Sequence, residues 1–295
     1  GQVDLTDDCS EVVSPGQPVT WYQNPEAIMD NADELTLNCD NLSYTLLGGN
    51  STPSGNVDIK WIDVARGDTI DGASLVVQNP GMYILWANTL NSPCFDTDTV
   101  NVLQDDDLPT AFVAEPDVLD CNNPSITLDA TSSDFGTDFS YSWTLPGGAV
   151  ISVDSQTLDI NTPGDYTLRV ENTTNNCAQS YTVTVDENFV FPSVNPGLGG
   201  MFDCHTDSIT LAGSVSTESG QFDVQWFVDG VPINGANTLD LIIFDGGWYA
   251  LEARDPINGC VAKDSVFVSA DENIPNDALV QAFDPQCHDE ENGYI

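Results

Sequence analysis

Short stretches of alternating apolar and polar residues, interrupted by Pro, Gly, Asn and Asp, recur along most of the chain. In the segment 246–268 the alternation of residues 248–253 stops at Asp255-Pro256 and resumes before Val268. Two alternating segments around such a break predict a β-hairpin, because successive side chains of a strand point to opposite faces of a sheet. The sequence therefore predicts an all-β protein built of short strands.

The hairpin pattern belongs to a tandem repeat. Tyrosines follow a glycine turn at positions 83, 166 and 249, and cysteines follow the hairpin turn at positions 94, 177 and 260, so both series have an interval of 83 residues. A tryptophan recurs as Trp61, Trp143 and Trp226. About seven short strands per repeat are typical of an antiparallel β-sandwich of the immunoglobulin (Ig) type. We expect the tryptophans to be core residues rather than sugar-stacking platforms, and the tyrosines to bond backbone groups near a corner.

The repeat also predicts the domain organisation, a tandem array of sandwiches arranged as a rod. It divides the chain into residues 1–33, the tail of a preceding repeat or an N-terminal extension; three Ig-like repeats, residues 34–105, 106–188 and 189–273; and residues 274–295, the start of a further, incomplete repeat. Acidic residues and a proline after each full repeat predict short, stiff linkers. Residues 24–34 are expected to contain one helical turn. Because half a sandwich does not fold alone, we expect a longer chain or a neighbouring chain to complete the last repeat.

The charge of the chain limits its partners. There are 47 acidic residues against five basic ones, which gives a formal net charge of −42. Such a chain repels phosphates and anionic headgroups, so nucleic acid and anionic membrane surfaces are excluded as partners. No stretch approaches about 18 consecutive apolar residues, so no membrane insertion is expected. No basic and then apolar leader is present at Gly1, which favours a mature start or a piece cut from a longer chain.

Eight cysteines in a chain of this character predict disulfides in an oxidising, extracellular setting. The two histidines, His205 and His288, have no zinc-like spacing to the cysteines. One pairing scheme lies within the repeats: Cys39–Cys94, Cys121–Cys177 and Cys204–Cys260. The other joins neighbouring repeats through Cys39–Cys177 and Cys121–Cys260.

Geometry favours the scheme between repeats. In an Ig-like sandwich the turn before the second strand and the last hairpin lie at opposite ends. A seven-residue strand spans roughly 23 Å, whereas bridged Cα atoms lie within about 7 Å of each other. The turn of one repeat can, however, face the hairpin of the next. This scheme leaves Cys9, Cys94, Cys204 and Cys287 to pair outside the full repeats, or allows Cys9–Cys94 if Gly1 is a true N-terminus.

The candidate metal ligands of the chain are acidic residues in the linkers. Calcium takes 6–8 oxygen ligands, and the candidates are Asp105, Asp106, Asp107, Asp186, Glu187, Asp271 and Glu272. The spacing is not that of a known calcium loop, and a solvated acidic linker is the alternative. No cofactor other than calcium is expected. A serine-elbow motif and a phosphate-cradling glycine loop are both missing, so the chain is not expected to be an enzyme.

One motif series resembles a known group of proteins. Leu-x-Cys, Thr-Leu, Trp, Pro-Gly-x-Tyr-x-Leu, Asn-Gly-Cys and Asp-Ser-Val, in this order, resemble the Ig-like and PKD-like repeats of large Bacteroidota cell-surface adhesins. These include SprB-like gliding and adhesion proteins exported by type IX secretion, whose repeats open with a segment similar to residues 287–295. The resemblance covers about residues 33–295, although the PKD-type Asp-Gly signature is missing. It also implies O-glycosylation at the Asp-Thr/Ser-aliphatic triplets that contain Thr69, Thr99, Ser208 and Ser265.

Taken together, these features predict a structural role. We expect a disulfide-stiffened stalk or filament segment of a secreted, extracellular bacterial surface adhesin, without catalytic activity. Its partners are expected to be neighbouring repeats or copies of the same chain, with surface glycans or other cell-surface proteins as further candidates. The alternatives are a glycan- or protein-binding module and the spacer of a secreted hydrolase.

Overall fold

A computed structural model describes residues 24–52, 57–90, 94–153, 155–203 and 205–270. Within these ranges the regular secondary structure consists of β-strands, which confirms the predicted all-β fold. The predicted helical turn in residues 24–34 is wrong: Glu26 forms an antiparallel bridge with Thr52, and β1 begins at Glu34. The backbone N–H groups of Ala27 and Met29 donate to aspartate side chains of β7, which holds this segment extended.

The described residues of the first repeat form seven strands in two sheets. A five-stranded sheet has the order β1-β7-β6-β3-β4, in which β1 runs parallel to β7, and a second sheet pairs β2 with β5. The strands are β1 (Glu34–Leu37), β2 (Tyr44–Leu47), β3 (Val57–Asp63), β4 (Asp68–Asp71), β5 (Ser74–Val77), β6 (Gly81–Thr89) and β7 (Phe95–Gln104).

The second repeat follows the same plan. Its larger sheet has the order β11-β10-β13-β14, and β12 pairs with β9 while the short β15 runs parallel to β8. The strands are β8 (Leu119–Asp120), β9 (Ile126–Asp129), β10 (Phe139–Thr144), β11 (Val150–Val153), β12 (Thr157–Ile160), β13 (Gly164–Asn172), β14 (Cys177–Val185) and β15 (Glu187–Asn188).

The third repeat has the sheet order β17-β24-β23-β20-β21, with separate pairs β18–β22 and β16–β19. Its strands are β16 (Ser193–Asn195), β17 (Met201–Phe202), β18 (Ile209–Ala212), β19 (Ser214–Ser216), β20 (Asp223–Val228), β21 (Val231–Pro232), β22 (Asp240–Ile243), β23 (Gly247–Arg254) and β24 (Val261–Ala270). In all three repeats, therefore, a short early strand pairs in parallel with the strand at the end of the repeat. The repeats are Ig-like β-sandwiches.

The chain forms two compact units whose boundary runs through the second repeat. Of the described residues, the first unit comprises those up to Val113 together with 130–156 and 167–182, and the second comprises 114–129, 157–166 and those from Val183 onward. Neither unit coincides with one repeat, and the domain boundaries drawn from the sequence remain predictions. Among the described residues, no helix has the length and apolar character needed to cross a membrane.

The repeated tryptophan is buried in all three repeats. Trp61, Trp143 and Trp226 are fully buried, which confirms their expected role. In the first repeat Trp61 belongs to a cluster with Leu46 and Leu85, and in the third Trp226 belongs to one with Leu211 and Leu251. The period-two pattern of the strands thus places the large side chains on the inner face of each sheet.

The repeated tyrosine forms a corner in every repeat, as the sequence predicts. The hydroxyl groups of Tyr83, Tyr166 and Tyr249 each donate to the backbone carbonyl four residues earlier, at 2.8–3.0 Å. Burial disfavours the phenolate, so the pKa of each of these three side chains is raised above its usual value. The hydroxyl is thereby held in its neutral, donating form.

Because of the corner tyrosines, we expect the free energy of unfolding to fall at alkaline pH. Because their pKa values are higher in the folded chain, their contribution is fully present below pH 10.0, the usual tyrosine value, and is lost as the pH rises through the folded values. Y249F should lose about 1 kcal/mol at neutral pH for the missing hydrogen bond. Its stability should then fall less steeply above pH 10.0 than that of the unmodified chain. Urea unfolding over a pH series measures both effects.

Tyr181 provides the control, because it is partly exposed and packs its ring against Phe112. Y181F keeps that ring and should leave the neutral-pH stability unchanged within about 0.5 kcal/mol. Equal alkaline slopes for Y249F and the unmodified chain would show that the corner hydroxyl does not contribute in this way.

Candidate functional site

Two disulfides link consecutive repeats. Cys39, just after β1, bonds Cys177 at the start of β14, and Cys121, just after β8, bonds Cys260 just before β24. Both pairs have a Cα–Cα distance of 5.0 Å, within the usual range for a disulfide. These are the two bonds favoured by the sequence, and the pairing of these cysteines within repeats is excluded because each sulfur forms one bond. Cys94 is buried, and Cys9, Cys204 and Cys287 lie outside the described residues.

We call the surroundings of these bonds the first joint (Cys39, Asp105–Asp107, Asn175 and Cys177) and the second joint (Cys121, Asn188–Val190, Asn258 and Cys260). The first joint lies within the first compact unit and the second within the second unit. Each joint combines the turn of one repeat, the linker that leaves it and the hairpin of the following repeat. Equivalent positions of the two joints are 82 or 83 residues apart in the sequence.

The turns that contain Cys39 and Cys121 are each fixed by the side chain of the residue just before the cysteine. Asn38 Oδ1 accepts hydrogen bonds from the N–H groups of Asp40 and Asn41. Asp120 Oδ1 accepts the corresponding bonds from residues 122 and 123, at 2.9 and 2.7 Å. Short polar side chains of this kind stabilise tight turns by bonding backbone groups two or three residues ahead. The cysteine is thereby held at the end of its strand.

The third repeat has the same turn. Asp203 Oδ1 accepts from the N–H of His205 and the hydroxyl of Thr206. The backbone bond from His205 is the largest effect that lowers the pKa of Asp203, because it stabilises the carboxylate. The described residues on either side of Cys204 therefore match the turns of the first two repeats.

An asparagine two residues before the hairpin cysteine holds the first joint together. Asn175 is buried, and its Oδ1 accepts from the N–H of Cys177 at 2.9 Å. Its Nδ2 donates to Asp105 Oδ1 at 2.8 Å and to the carbonyl of Asp107 at 3.0 Å. The N–H of Asp105 in turn donates to the carbonyl of Leu37, at the end of β1. One side chain thus connects the hairpin to the linker, and the linker is bonded to the strand that leads to Cys39.

The second joint repeats this arrangement. Asn258 is buried and accepts from the N–H of Cys260 at 3.0 Å. It donates to Asn188 Oδ1 and to the carbonyl of Val190, both at 2.9 Å. Asn188 pairs with Asp120, next to Cys121, through the parallel contact of β15 with β8. The same geometry is therefore built twice from equivalent sequence positions.

Asn122 adds a further contact to the second joint. Its N–H donates to the carbonyl of Asn258, and its Oδ1 accepts from Arg254 Nη2 at 2.8 Å. The position equivalent to Asn122 holds Asp40 in the first joint. Gly259 lies under this side chain: it has a φ of +72°, and a Cβ there would lie 2.1 Å from Asn122 Oδ1. Glycine accommodates both the positive φ and the close approach of the Asn122 side chain at this position.

A buried aspartate supports the hairpin of the second joint. The side chain of Asp255 accepts from the N–H of Ile257 and the hydroxyl of Ser219, at 2.9 and 2.8 Å. Burial alone raises the pKa of this carboxyl, but these hydrogen bonds outweigh burial and lower it below the usual value. Its contribution to stability is therefore present at neutral pH and is lost as the pH falls through the depressed pKa.

The acidic linkers take part in these hydrogen bonds. Several of the residues predicted to bind calcium therefore already bond other protein groups. Asp105 and Asp107 bond Asn175, and Asp106 accepts from Gln104 Nε2 at 2.8 Å. The carbonyl of Asp186 accepts from the N–H of Leu119, and Glu187 lies in β15. Asp271 and Glu272 lie outside the described residues. Within the described ranges, no three His, Cys, Asp or Glu side chains cluster as metal ligands. Calcium binding remains a prediction.

Measurements in sodium and calcium salts distinguish the screening of charge repulsion from specific calcium binding. Raising the salt concentration from about 0.01 to 0.15 M shortens the screening length from about 30 to 8 Å, so a chain with a net charge of −42 should gain stability. We expect sodium chloride and calcium chloride at equal ionic strength to raise the melting temperature equally if the linkers are only solvated. A rise specific to calcium, reversed by a chelator and removed by D106N/E187Q, would instead show that the linkers bind the ion.

The predicted glycosylation positions are all accessible. Thr69 and Thr99 are exposed on β4 and β7, and Ser265 is exposed on β24. Ser208 is exposed just before β18. Occupancy of these hydroxyl groups remains a prediction.

Sequence reasoning located the disulfides but missed the asparagines. Asn175 and Asn258 precede their cysteines by two residues in both joints, and this recurrence was the available signal. An isolated asparagine in a turn predicts only local backbone bonds. Its contact with a linker residue 70 positions away depends on the tertiary structure.

Comparisons with known proteins assign neither a family nor a function to the chain. No protein-family model matches the sequence, and no curated protein matches it. Titin domains I67–I69, in an E-to-A mutated variant, match at 13% identity over 85% of this chain and 100% of that chain, with a TM-score of 0.42. Extracellular domains 3–5 of Drosophila OTK match at 11% identity over 85% and 98%, with a TM-score of 0.31. At these scores the similarity carries no argument, and the Ig-like assignment rests on the sheet order and cores described above.

Proposed function

We propose that this chain is a stalk or filament segment of an extracellular bacterial surface adhesin and has no catalytic role. Its task is to hold a binding or anchoring module away from the cell. The resemblance to SprB-like repeats of Bacteroidota adhesins, with type IX secretion as the export route, belongs to this proposal. So do the partners, which are neighbouring repeats, copies of the same chain, surface glycans or other cell-surface proteins.

The observation that carries the proposal is the repetition of the joints. Each joint combines a disulfide with a buried asparagine, at sequence positions 82 or 83 residues apart. Tandem repeats of this kind obtain length from contacts between neighbours alone. A disulfide at each joint holds the turn of one repeat against the hairpin of the next under force, which favours a load-bearing role.

Charge and redox chemistry support an extracellular setting. Disulfides form and persist mainly in oxidising compartments such as cell surfaces and secreted material. A net charge of −42 opposes binding to nucleic acid and to anionic lipid, and keeps parallel copies apart at low salt. Both properties suit a surface protein in a salty medium.

A specific observation favours binding as the second candidate function. Trp248 and Phe267 lie opposite each other on β23 and β24, with ring centroids 5.2 Å apart, and both are more than half exposed. An exposed aromatic pair is a surface on which a sugar ring or an apolar side chain can stack. A glycan- or protein-binding module is therefore the alternative, and the spacer of a secreted hydrolase is a third possibility.

Immunogold electron microscopy of the cells that make this protein tests the proposal. Antibody against residues 106–271 should label filaments that project from the cell surface, at many points along each filament. Label confined to the medium or to free substrate would overturn the stalk function and favour the hydrolase spacer or a soluble binding module. Cells that lack the protein provide the control for antibody specificity.

A further inference from the structure

The hydrogen bonds of Asn175 and Asn258 suggest what determines which cysteines form disulfides with each other. Cys94, Cys177 and Cys260 occupy equivalent hairpin positions, so cysteine type alone does not specify the partner. The asparagine contacts, in contrast, connect each hairpin to one particular linker. That linker is bonded to the strand that ends at the partner cysteine.

We propose that Asn175 and Asn258 are positioning residues for disulfide formation, and that each hairpin docks on its linker before the sulfur atoms react. In the first joint, docking places Cys177 next to the turn of Cys39 without any covalent bond. Two thiols then lose two protons and two electrons to a small disulfide oxidant such as oxidised glutathione. One protein disulfide forms, and the oxidant leaves as two thiols.

The chemistry of the side chain explains why asparagine is suited to this task. The amide offers an acceptor for the cysteine N–H and two donor hydrogens for the linker, and all three are used in both joints. Burial makes these bonds costly to leave unmade, because an unpaired buried polar group loses its water without compensation. The linker partner differs between the joints: it is a carboxylate at Asp105 and an amide at Asn188.

The two joints allow a test with an internal control. The full-length chain is equilibrated in glutathione buffers, the thiols are trapped, and the oxidised fraction of each cysteine pair is measured by mass spectrometry. N175A should lower the equilibrium constant for the Cys39–Cys177 bond by about tenfold, equivalent to about 1.4 kcal/mol, and leave Cys121–Cys260 unchanged. N258A should do the reverse.

Matched variants of the same hairpins separate positioning from general damage. Thr174 and Ile257 are exposed turn residues next to the two asparagines. T174A and I257A should leave both equilibrium constants within about twofold, since surface changes are usually small. If either asparagine variant leaves its own pair unchanged, or weakens both pairs equally, the proposal is overturned.

A charge exchange tests the first joint more closely. N175D keeps the acceptor for the cysteine N–H but brings a second carboxylate against Asp105, so it should weaken the bond at least as much as N175A. Adding D105N supplies an amide donor and should recover part of the loss. Failure of this rescue, with T174A normal, would count against the linker contact.

Hydrogen exchange determines whether docking occurs without the bond. In C39A/C177A the backbone N–H of residue 177 should remain protected by Asn175, and adding N175A should remove that protection. Loss of protection in C39A/C177A alone would show that the hydrogen bonds follow the disulfide, which contradicts the proposed order. These outcomes do not depend on the cellular role of the chain, so they are distinct from the test of the stalk function.

Discussion

Replacing Cys121 and Cys260 by alanine is expected to lower the free energy of unfolding by about 5 kcal/mol. The bond joins residues 139 positions apart, and closure of so long a loop removes a large amount of entropy from the unfolded chain in the chain-entropy model. Urea unfolding of C121A/C260A measures the loss. Chemical reduction of the unmodified chain should also lower its free energy of unfolding.

The first joint provides a matched comparison. Cys39 and Cys177 are 138 positions apart, so C39A/C177A should cost nearly the same amount. A loss below about 1 kcal/mol in both variants would show that the bonds do not restrict the unfolded chain as the loop-entropy model requires. A large difference between them would show instead that the local contacts of each joint, such as those of Asn122, dominate.

Trp226 is expected to be the most sensitive single position of the third repeat. Its side chain is fully buried in the core cluster, and its indole N–H donates to the carbonyl of Thr238 at 2.8 Å. W226A should cost about 3–5 kcal/mol, the usual range for truncating a buried large aromatic residue. Thermal unfolding followed by circular dichroism measures the loss.

Trp248 lies on the neighbouring strand of the same sheet and is the control. It is 56% exposed, so W248A should change stability by no more than about 0.5 kcal/mol. Equal losses for W226A and W248A would contradict the placement of the two rings on the inner and outer sides of this sheet. Loss of binding to surface glycans in W248A, with normal stability, would favour the binding function.

The sequence predicted the sandwich architecture because its signals are local and repeated. The same features recur in each repeat: alternating strands, glycine turns and the Trp61 and Tyr83 series. A structure predicted for one repeat is therefore supported by the same pattern in the others. Burial of Trp61 and the corner bond of Tyr83 follow from the side that each residue takes in its strand. A length argument about strands favoured the disulfide partners in neighbouring repeats but left the pairing within repeats open.

Features that depend on contacts between residues far apart in the sequence were not predicted. The parallel pairing of β1 with β7 joins two ends of one repeat, and alternation within a strand does not specify its neighbour. Residues 24–34 were mistaken for a helical turn, because the aspartates that hold them extended lie on β7. Asn175 was overlooked for the same reason: its partners Asp105 and Asp107 lie in a distant linker.

Peptide mapping under non-reducing conditions tests the central claim, that consecutive repeats are joined by disulfides. Free thiols are blocked, the full chain is cut with Asp-N protease, and linked peptides are identified by mass spectrometry with and without reduction. The structure predicts one linked pair that contains Cys39 and Cys177 and another that contains Cys121 and Cys260. A linked pair that contains Cys121 and Cys177 would contradict it, because that bond closes within a single repeat and uses one cysteine of each joint, so that neither joint disulfide can form.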